Sequence, residues 1–226
     1  MSTPLATMTA MAQDATPPRR PAGRTPRDDR EIREAILTAT RRLLDERRFD
    51  ELSVADILTA AGVARGSFYF YFAGKHQVLA ELTRRAVSRG HEAAEPWLAS
   101  SDDPRETIRH GISEGAKLWR AEAPVLRAMV ENWQSDPELG ELWLNLMGGF
   151  TTATADRITA DRPDGDQGVD AGAVAAALTW LGERLYYLAA IGVEPFADED
   201  ALVDVLTHIW MSVLHPGLPK GPGANH

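Results

Sequence analysis

The sequence of 226 residues contains no cysteine, which excludes disulfide bonds, thiolate metal ligands and a cysteine nucleophile. It also lacks an uninterrupted apolar stretch of about 18 residues, the length that a membrane-spanning helix needs. The N-terminus has no positively charged start followed by an apolar run, so no signal peptide is predicted. Apolar residues nevertheless make up 44% of the chain and charged residues 25%, as is typical of folded globular proteins. We therefore expect a cytoplasmic protein.

Enzyme motifs are also lacking. The six histidines show no metal-binding spacing, and no glycine-rich phosphate loop is present. Residues 111–115 match the pattern G-x-S-x-G of a nucleophile elbow, but that chemistry requires a strand-to-helix turn. Here the residues lie within a helical pattern that has Ile108, Ile112 and Trp119 on its apolar side, and no strand precedes them. We therefore predict no catalytic residue, no metal site and no cofactor, and we do not expect an enzyme.

Charge is distributed unevenly along the chain. The net charge of −9 would disfavour nucleic-acid binding if it were spread evenly. Between residues 19 and 85, however, 14 Lys and Arg stand against 10 Asp and Glu, whereas residues 86–226 carry 10 against 22. This predicts that only the N-terminal third approaches a polyanion, although the small excess also fits an ordinary solvated helix surface. Residues 1–27 are predicted to form a disordered basic tail that either reaches a DNA minor groove or only aids solubility.

Apolar residues recur at three- and four-residue steps through most of the chain, which predicts an all-α fold. After a first helix from Asp29, Ser53 is predicted to cap a second helix together with Asp56, and Gly62 to end it in a left-handed conformation. A third helix is predicted from Arg65 and a fourth from residues 74–75 toward Pro96. Further helices are predicted over residues 104–120, 124–134, 137–160, 169–191 and 198–214.

Five consecutive aromatic residues, Phe68 to Phe72, follow the predicted second helix. Their alternation would suit a strand, but the flanking helices would leave such a strand without a partner. Read as a helix, Phe68 and Phe72 pack against the first two helices, while Gly66 and Phe70 point the opposite way. The outer face is predicted to bind DNA, because a glycine permits close approach, tyrosine hydroxyls reach phosphates and Phe70 can touch a thymine methyl group. The alternative is that the aromatic residues are simply core or face the second domain. In the helical reading, Ser67, Tyr69 and Tyr71 flank Gly66 and Phe70 on the outer face.

Two residues at helix starts are predicted to contact DNA phosphates. Lys75 lies in the first turn of the fourth predicted helix, where a cation opposes the helix dipole unless an anion is bound there. Ser53 is in the equivalent place on the second helix, where a phosphate contact and a simple capping role are compatible.

The segment 53–79 resembles the signature of TetR-family transcriptional regulators, through Ser53, residues 57–58, 61–63 and 66–72, Lys75 and Leu79. Residues 183–184 and 208–210 are similar to the ethionamide-resistance repressor branch of that family. The resemblance implies an all-α homodimer in which the last two helices of each subunit form a four-helix bundle. It also implies an aromatic-lined ligand tunnel, although Gly182 stands where that branch would have a polar amide. In this family the third helix reads the major groove, which implies DNA contacts by Arg65, Ser67, Tyr69, Phe70 and Tyr71.

The chain beyond residue 90 carries all six tryptophans. Several glycines interrupt its predicted helices, where alanine would be more stable by about 1 kcal/mol each. Large flat rings beside missing side chains leave room for a flat apolar ligand, although a solid aromatic core is the alternative. The predicted ligand-binding residues are Trp119, Trp133, Trp143, Phe150, Thr154, Thr179 and Trp210.

Together these features predict a DNA-binding transcriptional regulator, a repressor that a small apolar or aromatic effector releases from double-stranded operator DNA. The alternatives are a helical small-molecule-binding protein without operator function, and a regulator that acts as an activator. The predicted organisation is a basic tail (1–27), a helix-turn-helix DNA-binding domain (28–74), a ligand-binding and dimerisation domain (75–216) and a second disordered tail (217–226).

Overall fold

The computed structural model describes residues 26–98, 103–161 and 169–214, and within these ranges all regular structure is helical. The predicted all-α fold is therefore confirmed for this part of the chain. Most of both predicted tails lies outside it. Helix α1 begins at Pro26, so residues 26–27 belong to a helix and not to the tail. The helices are α1 (Pro26–Glu46), α2 (Val54–Ala61), α3 (Arg65–Tyr71), α4 (Lys75–Leu98), α5 (Pro104–Ala121), α6 (Ala123–Asn132), a 3₁₀ turn (Trp133–Ser135), α7 (Pro137–Asp161), α8 (Ala171–Ala190) and α9 (Glu199–Leu214).

The α2–turn–α3 unit is fixed by local sequence signals. The Ser53 hydroxyl accepts a hydrogen bond from the Asp56 amide, while the Asp56 carboxylate accepts one from the Ser53 amide at 2.8 Å, forming a capping box. At the other end of α2, Gly62 adopts φ +64°, the left-handed conformation that only glycine enters without strain. This turn sets the direction of α3 relative to α2. The predicted cap and stop of α2 are both confirmed.

An apolar core holds α3 against the first helices and continues into the second half of the chain. Ile36, Phe49, Ile57 and Phe68 are almost completely buried, and they share one cluster with the apolar side of α4. The same cluster extends to α5, α6 and α7. Helix α4 packs in this cluster with helices on both sides of the predicted domain boundary. The core therefore crosses that boundary, between residues 74 and 75, without interruption.

Ion pairs join α1 to the helices that cross it. The Arg85 guanidinium donates two hydrogen bonds of 2.7 Å to the Glu34 carboxylate and one of 2.9 Å to Glu81. The hydrogen bonds from Arg85 hold the pKa of Glu34 below its usual value. Arg41 pairs with the buried carboxylate of Glu122, at the junction of α5 and α6. Helix α1 is thus tied to both α4 and the C-terminal half.

A second apolar cluster lies among α5, α8 and α9. Its buried members include Ile112, Leu185, Leu202 and Leu206, with Phe196 and Trp210 packed against them. Residues 111–115 lie within α5, which agrees with the rejection of a nucleophile elbow at that place. The cluster leaves a cavity beside it, where the C-terminal half of the chain offers space for a ligand.

Candidate nucleic-acid interface and ligand-binding region

The outer face of α3 is open, aromatic and cationic. A methyl group built on Gly66 would meet no atom within 4 Å, so a partner can approach the backbone there closely. The Arg65 guanidinium lies 5.3 Å from the centre of the Tyr69 ring, and Tyr69 is 43% exposed. The structure brings Arg65, Gly66 and Tyr69 together on one surface, as the sequence predicts.

One residue of α3 that was predicted to bind DNA is buried. Ser67 is only 8% exposed and lies beside the buried ring of Phe68. On a helical wheel Ser67 lies about 60° from Phe70 and about 100° from Phe68. Its low exposure nevertheless makes it inaccessible to a partner on the outer face. The expectation that Ser67 is open to DNA on the outer face is therefore wrong, whereas the predicted burial of Phe68 and Phe72 is confirmed.

Tyr71 also points inward and not toward DNA. Its hydroxyl donates a hydrogen bond of 2.5 Å to the carboxylate of Asp29, which is itself buried. Tyr71 therefore ties the end of α3 to α1, which corrects its predicted role on the DNA face. Phe70 is half-buried and meets the edge of the Tyr71 ring at 4.9 Å between ring centres. Contact between Phe70 and a base stays a prediction.

Lys75 is the clearest departure from the prediction. Its amine donates hydrogen bonds to the backbone carbonyls of Phe49, Asp50 and Leu52, at 2.8, 3.2 and 2.7 Å. It also lies 4.7 Å from the centre of the Phe49 ring, and partial burial lowers its pKa. All three donors of the ammonium group are used, so Lys75 fastens the start of α4 to the α1–α2 connection instead of facing a phosphate.

Ser53 serves as the cap of α2. Its hydroxyl donates to the Asp56 carboxylate at 2.6 Å and accepts from the Asp56 amide. These hydrogen bonds from Ser53 lower the pKa of Asp56 to about 2, so the carboxylate is negatively charged at neutral pH. Arg47 lies 3.3 Å from the same carboxylate and partly offsets the charge. A phosphate contact by Ser53 stays a prediction.

The predicted ligand-binding residues are divided between two clusters. Trp119 and Trp143 lie in the large core, with Trp133 and Phe150 packed against it, whereas Trp210 packs against the second cluster. Trp143 is only 1% exposed, so in this conformation it is core. Thr154 and Thr179 are half-buried on α7 and α8.

A cavity of about 190 Å³ lies between α5, α8 and α9. Its walls are the rings of Trp119, Tyr186 and Phe196, and an ion pair between Arg120 and Glu199 lies at its edge. Trp119 is one of the predicted ligand residues, but Tyr186 and Phe196 are not. The signal that could have indicated the place is the set of small residues along its walls: Ala116, Ala123, Ala189, Ala190 and Ala197.

Tyr186 forms a wall of this cavity and packs against α5. Its ring stacks on Trp119 with 6.2 Å between ring centres and an interplanar angle of 23°. Its hydroxyl donates a hydrogen bond of 2.9 Å to the Ile112 carbonyl. A methyl group built on Gly115 would lie 2.6 Å from the Tyr186 hydroxyl oxygen, so the ring rests directly on the glycine. Burial raises the pKa of Tyr186, which keeps the phenol uncharged.

Glu183 brings a carboxyl group into the interior of the C-terminal half. The residue is 5% exposed, and neither carboxyl oxygen has a hydrogen-bond partner of good geometry within the described part of the chain. Arg184, its neighbour on α8, has its Nε 3.7 Å from one of these oxygens. Burial raises the pKa of Glu183. The charge of Arg184 and an interaction with Trp143 oppose this rise in pKa only in part.

A short helix with an open basic and aromatic face, set by a tight turn on a preceding helix, defines a helix-turn-helix DNA-binding protein. Comparison with known proteins identifies the particular family. Residues 36–82 match "Bacterial regulatory proteins, tetR family", and residues 108–215 match "Transcriptional regulator EthR, C-terminal domain". The chain belongs to the TetR family and to its EthR branch, and it is a helix-turn-helix transcriptional regulator.

Relatives of this branch match nearly the whole chain. The HTH-type transcriptional regulator EthR of Mycolicibacterium smegmatis is 35% identical over 220 residues, which cover 95% of this chain and 99% of that protein. EthR of Mycobacterium tuberculosis is 32% identical over 213 residues, covering 92% and 98%. The structure of Thermus thermophilus FadR, a TetR-family transcriptional repressor in complex with lauroyl-CoA, aligns with a TM-score of 0.61 at 23% identity. That alignment covers 86% of this chain and 99% of FadR, and it supports the fold.

The similar proteins are named as transcriptional regulators, a class that is distinct from enzymes. Within the described ranges, no helix is both long and apolar enough to cross a membrane. The same residues contain no group of three or more His, Cys, Asp or Glu with the arrangement of a metal site.

Proposed function

We propose that this regulator is a homodimeric repressor that binds operator DNA through α3 and releases it when a small apolar or aromatic effector binds the C-terminal half. The observation that carries the DNA-binding part is the outer face of α3, where Arg65, the open backbone at Gly66 and the exposed Tyr69 lie together. Such a face is a poor solvated surface and a good groove-binding one. The proposed organisation keeps residues 28–74 as the DNA-binding region and 75–216 as the ligand-binding and dimerisation region.

On this proposal the residues of the face have different tasks. Arg65 and Tyr69 contact phosphates or bases, and the half-buried Phe70 presents its edge to a thymine methyl group. Ser53 adds a phosphate contact at the start of α2. Tyr71 and Lys75 act indirectly, because their hydrogen bonds hold α3 and α4 in place.

Dimerisation through α8 and α9 fits the exposed apolar side chains of α9. Val205 and Val213, eight residues apart, are both exposed in the single chain. Residues at this spacing lie on the same side of a helix, and pairing with a second copy would bury them. Two subunits would also place two α3 helices against successive major grooves, which a helix-turn-helix protein needs for tight binding.

The effector is proposed to bind beside Trp119, at the cavity between α5, α8 and α9. The walls of this cavity are mainly apolar and aromatic, which suits an apolar or aromatic molecule. Binding would favour a conformation in which α4 is rotated, so that the two α3 helices no longer match the groove spacing. The proteins of known structure with this fold include one in complex with lauroyl-CoA, which supports a small-molecule effector.

The test is fluorescence anisotropy with labelled DNA from around the gene for this protein, over a range of salt concentrations. We expect tight, saturable binding that weakens as salt rises. Tyr69→Phe is expected to weaken binding to all operator variants, whereas Phe70→Ala changes the sequence preference. Equal losses on every operator variant for Phe70→Ala would contradict its base-reading role.

Two outcomes would favour the alternatives. No binding even at low salt, where a basic face still binds DNA nonspecifically, would indicate a ligand-binding protein without operator function. If DNA binding raises transcription from the bound promoter in vitro, the protein is an activator. A ligand that binds tightly and leaves the DNA affinity unchanged would contradict effector release.

A further inference from the structure

The ring of Tyr186 fills a gap that two glycines leave open between α5 and α8. On α5, the ring and hydroxyl lie 2.6 to 3.2 Å from the place of a side-chain carbon on Gly115, so a larger residue would fit only if the Tyr186 ring moved. On α8, the ring lies 3.7 Å from the same place on Gly182, one turn before Tyr186 itself. The Tyr186 ring therefore fills the space next to the Gly115 backbone, where α5 has no side chain of its own.

The cavity of about 190 Å³ lies against the same ring, since Tyr186 forms one of its walls. A phenol ring needs a space of about 150 Å³, the size of an engineered cavity that accepts benzene. Rotation of the Tyr186 side chain toward the cavity therefore gives the ring a second place. The gap above Gly115 would then be empty, next to the face of Trp119.

We propose that Tyr186 occupies the place of the effector, and that it selects for a small, uncharged, planar aromatic molecule that carries a hydroxyl group. This inference rests on the proposed effector release and names the chemical class of that effector. It places the effector ring in the gap beside the cavity instead of in the cavity itself. The effector ring takes the position of the Tyr186 ring on Trp119, and its hydroxyl takes over the hydrogen bond to the Ile112 carbonyl. The Tyr186 ring moves into the cavity.

Each part of the selectivity follows from a contact that the Tyr186 ring now makes. Planarity is required because the ring lies between the Trp119 face and the bare backbone of Gly115. A hydroxyl donor is favoured because the Ile112 carbonyl, which already accepts one hydrogen bond within α5, can accept a second one that a carboxylate or an ether cannot donate. A neutral molecule is required because the gap is buried, and an ion would lose its hydration there without a partner.

The inference makes a quantitative prediction about Tyr186→Phe. The phenylalanine ring keeps its packing on Trp119 but loses the hydrogen bond to Ile112, so it leaves the gap more easily. A site that is blocked for most of the time binds its ligand more weakly by the fraction of time for which it is open. Loss of one hydrogen bond of ordinary strength raises that fraction roughly two- to ten-fold, and ligand affinity rises by the same factor.

The experiment is isothermal titration calorimetry of the full chain, without DNA, using 4-ethylphenol as the probe. Ethylbenzene lacks the hydroxyl and 4-ethylcyclohexanol lacks the planar ring, so both are matched control ligands. We expect 4-ethylphenol to bind tighter than either, to gain about two- to ten-fold in Tyr186→Phe and to gain more in Tyr186→Ala. Tyr187→Phe is the control variant, because the neighbouring hydroxyl donates to Glu131 and not into the gap. The affinity of Tyr187→Phe for 4-ethylphenol is expected to equal that of the wild type.

Movement of the ring can be observed directly by NMR with ¹³C-labelled tyrosine, since the chain has only four tyrosines. The signal absent from Tyr186→Phe belongs to Tyr186, and we expect it to shift most on addition of 4-ethylphenol. A signal that stays fixed while the probe binds would overturn the inference. Equal probe affinity in wild type and Tyr186→Phe, or equal affinity of Tyr186→Ala for 4-ethylphenol and ethylbenzene, would also overturn it.

Because the titration contains no DNA, failure of this inference is distinguishable from failure of the proposed function. Probe binding that depends on Tyr186 but leaves DNA affinity unchanged supports the site and contradicts effector release. If probe binding is independent of Tyr186, the inference is overturned, whatever the DNA affinity does.

Discussion

Replacement of Lys75 by methionine separates a structural role from a DNA-contacting one. Methionine keeps the length and the apolar stem of lysine but removes the charge and all three donors. The carbonyls of Phe49, Asp50 and Leu52 then lose their common partner at the junction of α1, α2 and α4. Hydrogen bonds to a charged group contribute about 1.5 to 3 kcal/mol each, but the three share one ammonium group and one desolvation cost.

We therefore expect a loss of about 2 to 3 kcal/mol in the free energy of unfolding, less than the sum of three separate bonds, since the part of the junction near Asp50 is reached by water. In a chain of this size, 1 kcal/mol changes the Tm by about 2 to 4 °C. Urea unfolding followed by far-ultraviolet circular dichroism measures the loss.

DNA binding provides the second part of the test. If Lys75 contacts no phosphate, Lys75→Met leaves the slope of log K against log salt unchanged when the variant is measured well below its Tm. Arg65→Met is the matched control, because Arg65 is exposed on the proposed DNA face. We expect its slope to fall by about 0.9 for each phosphate contact that is lost in the dimer, with little change in stability. The reasoning would be refuted if Lys75→Met behaved like the control, with a smaller slope and unchanged stability.

Three further substitutions test the conformation of Gly62, the hydrogen bond of Tyr71 and the buried acid Glu183. Gly62→Ala is expected to lower the free energy of unfolding by about 1 to 2 kcal/mol, because φ +64° is strained for alanine while its methyl group meets no other atom. Urea unfolding measures this loss, and an unchanged midpoint would contradict the prediction. Tyr71→Phe leaves the buried carboxylate of Asp29 without the Tyr71 hydroxyl, so we expect the free energy of unfolding to fall by about 1 to 3 kcal/mol. The salt dependence of DNA binding is expected to stay unchanged, and a smaller slope would indicate that Tyr71 contacts a phosphate after all. Because the pKa of Glu183 is raised in the folded state, the folded protein holds the Glu183 proton more tightly than the unfolded chain does. The stabilisation from this group is complete below the ordinary pKa of 4.5 and is lost as pH rises through the pKa of the folded state. Thermal unfolding between pH 4 and pH 8, compared with Glu183→Gln, is expected to show a smaller decline for the variant, and parallel curves would contradict it.

The helices could be predicted from the sequence because their signals are local. Ser53 and Asp56 are three residues apart, and Gly62 lies directly after the apolar pattern that it ends. Neither signal depends on what packs against the helix. The burial of Phe68 and Phe72 follows from helical periodicity in the same way, since the remaining helices must cover one side of α3.

The roles of Lys75 and Tyr71 could not be predicted, because their partners are distant in sequence. Lys75 bonds to carbonyls 23 to 26 residues before it, and Tyr71 to a carboxylate 42 residues before it. A lysine at a helix start and an outward tyrosine fit a phosphate contact equally well when only the neighbouring residues are known. Gly115 presented the same difficulty, because the Tyr186 ring that rests on it comes from another helix.

The position of Lys75 has a consequence for how an effector could release DNA. Lys75 joins the first turn of α4 to the α1–α2 connection, and Arg85 joins α4 to Glu34 on α1 about three turns further along. These two attachments hold α4 at separate points along its length, so α4 and the helix-turn-helix unit are expected to move as one rigid body. An effector that rotates α4 would then displace α3 as a whole instead of unfolding it. Lys75 would thereby determine whether DNA is released, without touching either the DNA or the effector, and loosening it in Lys75→Met would weaken the effect of the ligand on DNA affinity.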